Sequence, residues 1–129
     1  MHQKKSRFFD HVVLHVKDIN ESKKFYRAIF ETLGHTITGE AEDQFFIYEL
    51  NIREDERPTS GMHIAFHAEN PGLVKLFHEA ALRCGGKCIG APSERAHRGV
   101  YTADIIDPDG HHIEAIYKNK AQRTSSISY

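Results

Sequence analysis

The hydrophobic and polar positions of the chain follow the same order in two segments. Residues 11–37 and residues 63–89 each begin with a short apolar run that contains two histidines, and each continues into helical spacing. Equivalent positions, such as His11 and His63, are separated by a constant 52 residues. A constant offset across two element types indicates an internal duplication. The sequence therefore predicts two copies of one β-α-β unit with pseudo-twofold symmetry.

The first copy predicts a strand followed by an amphipathic helix. Residues 9–16 are short and β-branched, as is typical of a strand. Asp18, with a glutamate three residues later, has the pattern of a capping box, and Gly34 favours a left-handed helix end. Two further strands are predicted after this helix, over residues 35–39 and 44–51. The first copy is therefore either one strand shorter than the second or contains two strands fused in the pattern.

The second copy repeats this order with clearer boundaries. Residues 62–68 form the strand pattern, Asn70 is the expected N-cap, and Pro71 occupies the first helical turn, where its missing N–H does no harm. The glycine pair after residue 84 ends the helix. Three strands are expected afterwards, over residues 88–91, 100–106 and 112–117, and the last two are joined by the turn sequence Asp107-Pro108-Asp109-Gly110.

The chain is expected to form one α+β domain built from these two modules. A length of 129 residues is sufficient for one ordinary core. Module one is predicted over about residues 8–52 and module two over about residues 61–118. A polar connection over residues 53–60 lies between them, and residues 119–129 form a polar, serine-rich tail.

Composition and charge narrow the functional classes. The chain is 40% hydrophobic and 27% charged, with a formal net charge of -1, which disfavours nucleic acid and anionic membranes as partners. Its first residues lack the apolar run of a signal peptide, and no segment approaches the length of a membrane span. Cys84 and Cys88 have no partner pair elsewhere, so we expect ordinary thiols in a reducing cytoplasm.

The histidines fall on one face of the first strand in each copy. Because side chains alternate along a strand, His11 and His15 share the face opposite the apolar residues that pack on the helix. His63 and His67 have the same arrangement in the second copy. The other histidines show no such pattern, and we expect three of them to face solvent: His35, His78 and His111.

Each copy also has a glutamate in its last predicted strand, Glu49 in the first and Glu114 in the second. Ile113 and Ala115 form the apolar face of that strand in the second copy, which places Glu114 on the opposite face. A carboxylate enclosed by a sheet is unfavourable unless it is paired, solvated or bound to a cation. Two histidines and two glutamates related by a duplication would relieve that penalty by holding one divalent ion.

These residues resemble the vicinal oxygen chelate superfamily, which includes glyoxalase I, extradiol dioxygenases, fosfomycin-resistance proteins and bleomycin-binding proteins. The resemblance covers residues 8–118 and rests on Asp10-His11, on Gly61-Met62-His63-Ile64-Ala65-Phe66, and on the Asp-Pro-Asp-Gly turn with Glu114 downstream. It implies paired β-α-β-β-β modules whose curved mixed sheets form a metal-binding cleft, the glyoxalase-like fold. It also implies the metal ligands His11, His63, Glu114 and, as the fourth ligand of glyoxalase-type sites, Glu49.

The chemistry implied by the resemblance is chelation of two neighbouring substrate oxygens by the metal. In the glyoxalase version, a glutamate ligand (Glu114 or Glu49) moves a proton between adjacent carbons through an enediolate. Such a donor set suits zinc, nickel, manganese or iron(II) without choosing among them. The alternatives are an extradiol-type dioxygenase, in which His11, His63 and Glu114 form an iron triad, and a binding protein of the bleomycin-resistance kind that performs no turnover.

The substrate is expected to be a small molecule, and the resemblance implies a homodimer. Residues 95–101 form a polar, basic segment just before the penultimate strand, near the expected mouth of the cleft. We expect this segment to contact an anionic substrate, with a solvated loop as the alternative. The candidate substrate-binding residues are His15, His67, Arg95, Arg98, Tyr101 and His112.

Overall fold

Two modules of the same topology make up the chain. The structure, a computed structural model, describes residues 8–95 and 99–119. Module one comprises β1 (Val12–Val16), α1 (Ile19–Thr32), β2 (Gly39–Ala41), β3 (Gln44–Ile47) and β4 (Leu50–Glu54). Module two comprises β5 (His63–His67), α2 (Pro71–Arg83), β6 (Lys87–Glu94), β7 (Val100–Ile106) and β8 (His112–Lys118). Except for Asn119, the predicted C-terminal tail lies outside the described residues.

Each module folds its four strands into one mixed sheet. The strand orders are β1-β4-β3-β2 and β5-β8-β7-β6, so that the first strand of each module pairs with the last. That pairing is parallel, as the intervening helix requires, and the other pairings are antiparallel. The predicted α+β fold with two tandem β-α-β-β-β modules is thus confirmed.

The helices begin and end where the sequence predicts. The Asp18 side chain accepts hydrogen bonds from the backbone N–H groups of residues 20 and 21, and Asn70 caps α2 through the N–H of residue 73. Gly34 and Gly85 follow the helix ends with φ of 91° and 99°. A residue with a side chain is strained at such angles, whereas glycine is not.

The core lies between the sheets and the helices, and the two helices pack against each other. Phe25, Tyr26 and Phe77 are fully buried within it. The ring of Phe30 in α1 meets the ring of Phe66 in β5 edge to face, with centroids 4.9 Å apart. The cores of the two modules are therefore continuous.

Module one has the full set of four strands, so of the two alternatives the shorter module was wrong and the fused pair of strands is confirmed. The predicted strand over residues 44–51 consists of β3 and β4, which pair as a hairpin with Ile47 opposite Leu50. The two residues between them form a tight turn in which Tyr48 has φ of 55°. A bulky residue is uncommon at positive φ, so the sequence offers none of the usual glycine or asparagine signals for this turn.

A buried polar network joins the modules through the turn before β8. Tyr26 donates a hydrogen bond of 2.5 Å to Asp107 Oδ2, and His111 Nδ1 lies 2.7 Å from the same oxygen. On its other side, His111 Nε2 lies 2.8 Å from Thr59 Oγ1 in the connection between the modules. His111 is fully buried, so the prediction that it faces solvent was wrong. Its two hydrogen-bond partners satisfy both ring nitrogens in place of water.

Ionisation in this network follows from its burial and its donors. Burial raises the pKa of Tyr26 well above its ordinary value, and the nearby Asp107 carboxylate adds to that effect. Burial acts in the same direction on Asp107, but hydrogen bonds from His111 and Tyr26 outweigh it and hold the pKa of Asp107 below its ordinary value. Asp107 is therefore a carboxylate that His111 and Tyr26 stabilise in its charged form.

Candidate metal centre

Four side chains of module two bring potential metal-binding atoms to one place. The donor atoms of His63, Asp104, His112 and Glu114 all lie within 4.8 Å of one another. These residues come from β5, β7 and β8, the three adjacent strands at one side of the second sheet. The cluster is therefore built on regular strands rather than on loops.

The register of the strands explains why these four residues meet. His63 pairs with His112 across β5 and β8, and Asp104 pairs with Glu114 across β7 and β8. His112 and Glu114 are two residues apart on β8, so all four side chains leave the same face of the sheet in two neighbouring rows. The alternate residues of β8, such as Ile113, belong to the hydrophobic core on the opposite face.

Two histidine–carboxylate pairs make up the cluster. His63 Nε2 lies 2.8 Å from Glu114 Oε1, and His112 Nε2 lies 2.8 Å from Asp104 Oδ1. The two imidazole rings are stacked, with centroids 3.8 Å apart and planes inclined by only 7°. Arg95 adds a hydrogen bond of 2.6 Å from Nη2 to Asp104 Oδ2.

The carboxylates are far less exposed than their partners. The side chains of Asp104 and Glu114 are 8% and 12% exposed, whereas that of His63 is 53% exposed. Two anions withdrawn from water in this way require cations or hydrogen-bond donors close by. Arg95 supplies one positive charge, and the histidines can supply donors or, in their neutral form, metal ligands.

The composition and space of the cluster fit a divalent metal. Two imidazole nitrogens and two carboxylate oxygens are donors used by zinc and by other first-row divalent ions. Gly90 of β6 lies beside Asp104, and a Cβ at this position would come within 3.0 Å of Asp104 Oδ2. The absence of a side chain there leaves room for the carboxylate.

The residues predicted as metal ligands fall into two places. His63 and Glu114 lie together in the cluster. His11 lies outside it, with its side chain 61% exposed and Nδ1 2.8 Å from Asp10 Oδ1. Glu49 lies in the β3–β4 turn, and its backbone carbonyl accepts a hydrogen bond from the N–H of Val12. His11 and Glu49 thus stand at the starts of neighbouring strands in the first sheet, and their role as ligands stays a prediction.

The predicted substrate-binding residues are dispersed. His112 and Arg95 belong to the cluster or contact it directly. Tyr101 lies on the opposite face of β7 from Asp104 and packs against the core. His15 Nδ1 lies 3.5 Å from Asp55 Oδ2 at the end of β1. His67 is exposed at the end of β5, and Arg98 lies outside the described residues.

Asp104 is the one member of the cluster that sequence reasoning missed. It lies in a strand that was predicted correctly, between Ala103 and Ile105, which are both fully buried. Alternation along that strand places Asp104 on the face opposite these apolar neighbours. Alternation along β7 therefore indicated that Asp104 faces away from the core. Its proximity to Glu114 follows only from the pairing of β7 with β8.

The fold and the four-donor cluster together define a protein of paired β-α-β-β-β modules with a candidate metal centre on one of its sheets. Residues 8–115 match the Glyoxalase/Bleomycin resistance protein/Dioxygenase superfamily, and the chain belongs to this family. Members are usually metal-dependent, bind small-molecule substrates and often form dimers. A comparison with functionally curated proteins found no match. In the described part of the chain, neither helix is long and apolar enough to span a membrane.

Solved structures of the family share the fold. A glyoxalase/bleomycin resistance protein from Albidiferax ferrireducens T118 is 29% identical, with a TM-score of 0.77 over 87% of this chain and 99% of its own. A fosfomycin resistance protein from Listeria monocytogenes is 20% identical, with a TM-score of 0.70 over 91% of this chain and 98% of its own. A glyoxalase/bleomycin resistance protein/dioxygenase family enzyme from Burkholderia phytofirmans PsJN is 18% identical, with a TM-score of 0.68 over 84% and 97% of the two chains.

Proposed function

We propose that this protein is a divalent-metal-dependent lyase or isomerase of the glyoxalase type that acts on a small substrate with vicinal oxygens. The observation that carries the proposal is the His63–Glu114 pair, 2.8 Å apart within a cluster of four potential ligands. Both residues are ligands implied by the family resemblance. The proposal requires these two ligands and holds whether or not His11 and Glu49 join them.

A bound divalent ion would supply Lewis-acid stabilisation of negative charge that develops on a substrate oxygen. Glu114 is the chain's own proton-transfer group in this proposal. Its carboxylate is held by His63 at Oε1 and is mostly shielded from water. Positioned in this way, it can take a proton from one substrate carbon and return it to the neighbouring carbon. In the metal-loaded protein, His63 would hold the ion beside this carboxylate.

Charge at the centre favours an anionic substrate. Asp104 and Glu114 carry two negative charges, which a divalent ion would balance. Arg95 then leaves one positive charge beside the cluster, and its side chain is 48% exposed. A local positive charge at an opening attracts small anions and orients them. We therefore propose a substrate with a carboxylate or a comparable anionic group next to its vicinal oxygens.

We further propose that the protein acts as a homodimer, as is common in this family. Phe8 and Phe9 are 89% and 59% exposed and immediately precede Asp10 and His11. Exposed aromatic side chains next to potential ligands support burial of this segment by a second copy. Sedimentation equilibrium of the wild type and of Phe8→Ser/Phe9→Ser tests this, and an unchanged dimer in the double variant would remove the role of these two residues.

A second candidate, an extradiol-type dioxygenase, is favoured by one feature of the cluster. His63, His112 and Glu114 form a set of two histidines and one carboxylate, which is the donor set of many non-haem iron(II) oxygenases. Such chemistry needs open positions on the iron, and Asp104 beside the set would occupy one of them. The extra carboxylate therefore favours the lyase or isomerase over the dioxygenase.

The deciding experiment combines metal loading with two substrate panels. Protein loaded separately with Zn²⁺, Ni²⁺, Mn²⁺ or Fe²⁺ is assayed with hemithioacetals and with catechols, and oxygen consumption is followed alongside. We expect isomerisation of a hemithioacetal without oxygen uptake, and loss of at least about 100-fold in Glu114→Gln. Glu79→Gln on the exposed face of α2 is the matched control and should retain activity.

Two outcomes would overturn the lyase or isomerase. Oxygen uptake with a catechol by the iron form would identify the dioxygenase. Binding of a small molecule by metal-free protein, without turnover of either panel, would identify a sequestering protein of the bleomycin-resistance kind.

A further inference from the structure

We infer that Asp104 and His112 are themselves metal ligands, so that module two alone provides four protein donors to the ion. The inference rests on the proposed metal dependence but departs from the ligand set that the family resemblance implies. In that set, His11 and Glu49 of the duplicated module complete the coordination. Here Asp104 and His112 of the second module would take the places of His11 and Glu49.

The distances in the cluster support a shared ion. Donors about 2.1 Å from one ion are at most about 4.2 Å apart, when they lie on opposite sides of it. The four donor atoms already lie within 4.8 Å of one another. Side-chain movements of about 1 Å would therefore bring all four donor atoms to one ion. Within one chain, His11 lies outside this cluster, on the first sheet beside Asp10.

The stacked rings give His112 and His63 the same orientation toward the carboxylates. Their planes are inclined by 7° at a centroid separation of 3.8 Å, and each ring directs Nε2 at a carboxylate in the neighbouring row. Two identical donors directed in this way converge on the carboxylates from the same side. An ion that accepts one of these nitrogens is therefore within reach of the other.

Asp104 is held as an oriented ligand would be. Arg95 Nη2 hydrogen-bonds Oδ2 at 2.6 Å, which leaves Oδ1 directed at His112 Nε2 and the cluster. Hydrogen bonds that fix a ligating carboxylate are a regular part of metal sites. Gly90 contributes by its lack of a side chain, since a Cβ there would lie 3.0 Å from Oδ2 and 3.3 Å from the Asp104 Cβ.

The first module lacks the corresponding carboxylate. Val13 pairs with Asn51 across β1 and β4, just as Ala65 pairs with Glu114 across β5 and β8. Asn51 therefore holds the position of Glu114, and Glu49 holds that of His112. The Asn51 amide is already engaged with Arg53 Nε at 2.6 Å and with the Phe45 carbonyl at 3.1 Å. The two modules are thus unequal, and the complete donor set lies in module two.

The test is metal binding by the full chain, measured without reference to turnover. Metal-free wild type and single variants are titrated with Co²⁺ by calorimetry, and the visible absorption of bound Co²⁺ reports the ligand set. Asp104→Asn and His112→Gln remove the inferred ligands, and His11→Gln and Glu49→Gln remove those implied by the family. Thermal unfolding of each metal-free variant confirms that it folds.

We expect Asp104→Asn and His112→Gln each to lose about 10- to 100-fold or more in Co²⁺ affinity, with a changed spectrum. His11→Gln and Glu49→Gln should keep the wild-type affinity and spectrum. If instead His11→Gln loses affinity while Asp104→Asn and His112→Gln bind as wild type, the inference is overturned and metal dependence stands. If the wild type takes up neither Co²⁺ nor Zn²⁺, the inference and the proposed function both fall.

Discussion

Tyr26 of α1 donates a hydrogen bond of 2.5 Å to Asp107 of the turn before β8, across 81 residues of sequence. Both side chains are fully buried. The bond joins the helix of module one to the turn on which the last strand of module two depends. Because the acceptor is charged and shielded from water, its donors contribute strongly to stability.

Removing the tyrosine hydroxyl should destabilise the protein. Tyr26→Phe leaves the Asp107 carboxylate with one fewer donor in a buried place, and we expect a loss of about 2 kcal/mol in the free energy of unfolding. Urea denaturation of the two proteins measures the difference. Tyr101→Phe removes a hydroxyl from a partly buried tyrosine and should cost less. Equal stability of Tyr26→Phe and wild type would show that the bond contributes nothing.

The stability of the protein should fall in acid partly because of Asp107. Its pKa is held below the ordinary value in the folded state, so the unfolded state binds a proton first as the pH falls. The contribution of Asp107 is therefore present above about pH 4, the ordinary range of an aspartate, and is lost as the pH falls through the lowered folded pKa. The stability difference between wild type and Asp107→Asn should shrink accordingly between pH 6 and pH 3.

Asp109 lies in the same turn, and its ionisation should affect the stability of the protein in the opposite direction to that of Asp107. Burial is the main cause that raises its pKa, so ionisation of Asp109 opposes folding as the pH rises through the ordinary range. Asp109→Asn keeps the oxygen that accepts the backbone N–H of Lys17 at 3.0 Å. We expect this variant to gain stability relative to wild type as the pH rises from 3 to 6. A parallel pH profile for both variants would refute the assignment of these two directions.

A methyl group at Gly90 should weaken the metal centre. The added Cβ would lie 3.0 Å from Asp104 Oδ2 and would displace the carboxylate from Arg95. We expect Gly90→Ala to reduce metal affinity about 10-fold, as loss of an orienting contact does in other metal sites. Gly39 in the edge strand of the first sheet is the matched control, because a Cβ there meets only Phe46 at 3.6 Å. Gly39→Ala should bind metal within about twofold of wild type.

Substitutions of Asn51 and Glu114 should have opposite effects, one on the stability of the fold and the other on metal binding. Asn51→Ala leaves Arg53 Nε and the Phe45 carbonyl without their partner, and we expect a loss of about 1–3 kcal/mol in unfolding free energy. Its metal affinity should be unchanged. Glu114→Gln should show the reverse: near-normal unfolding of the metal-free protein and loss of metal uptake. Denaturation and calorimetry on the same preparations test both halves, and metal loss in Asn51→Ala would contradict the expectation.

Most of the fold could be predicted from the sequence because its boundaries have specific chemistry. Asp18 and Asn70 mark the helix starts, and Gly34 allows the left-handed end of α1. The β3–β4 hairpin could be predicted only as one of two alternatives, since its turn places Tyr48 at positive φ, where tertiary contacts and not local preference decide the backbone. The burial of His111 was missed for a similar reason, because its partner Thr59 lies in the connection between the modules, 52 residues away along the chain.

The candidate site could be predicted only as far as alternation along single strands allows. The positions of His63 and Glu114 follow from the faces of their own strands. His112 shares the face of Glu114 on the same strand, whereas Asp104 joins them through the pairing of β7 with β8, which no single strand reveals. The equivalence drawn between Glu49 and Glu114 was wrong by two residues for the same reason, because register and not sequence order decides which positions correspond.

The turn formed by residues 107–111 lies between Asp104 and His112 along the chain. This turn contacts Tyr26 of module one and Thr59 of the connection between the modules. Occupancy of the centre and docking of the modules would then be thermodynamically linked. Linkage is reciprocal. If a bound ion strengthens the contact between the modules, then a substitution that weakens this contact would reduce the ion's affinity by the same factor. A substitution at Tyr26, which is not one of the four candidate ligands, would thereby change the metal affinity from a distance.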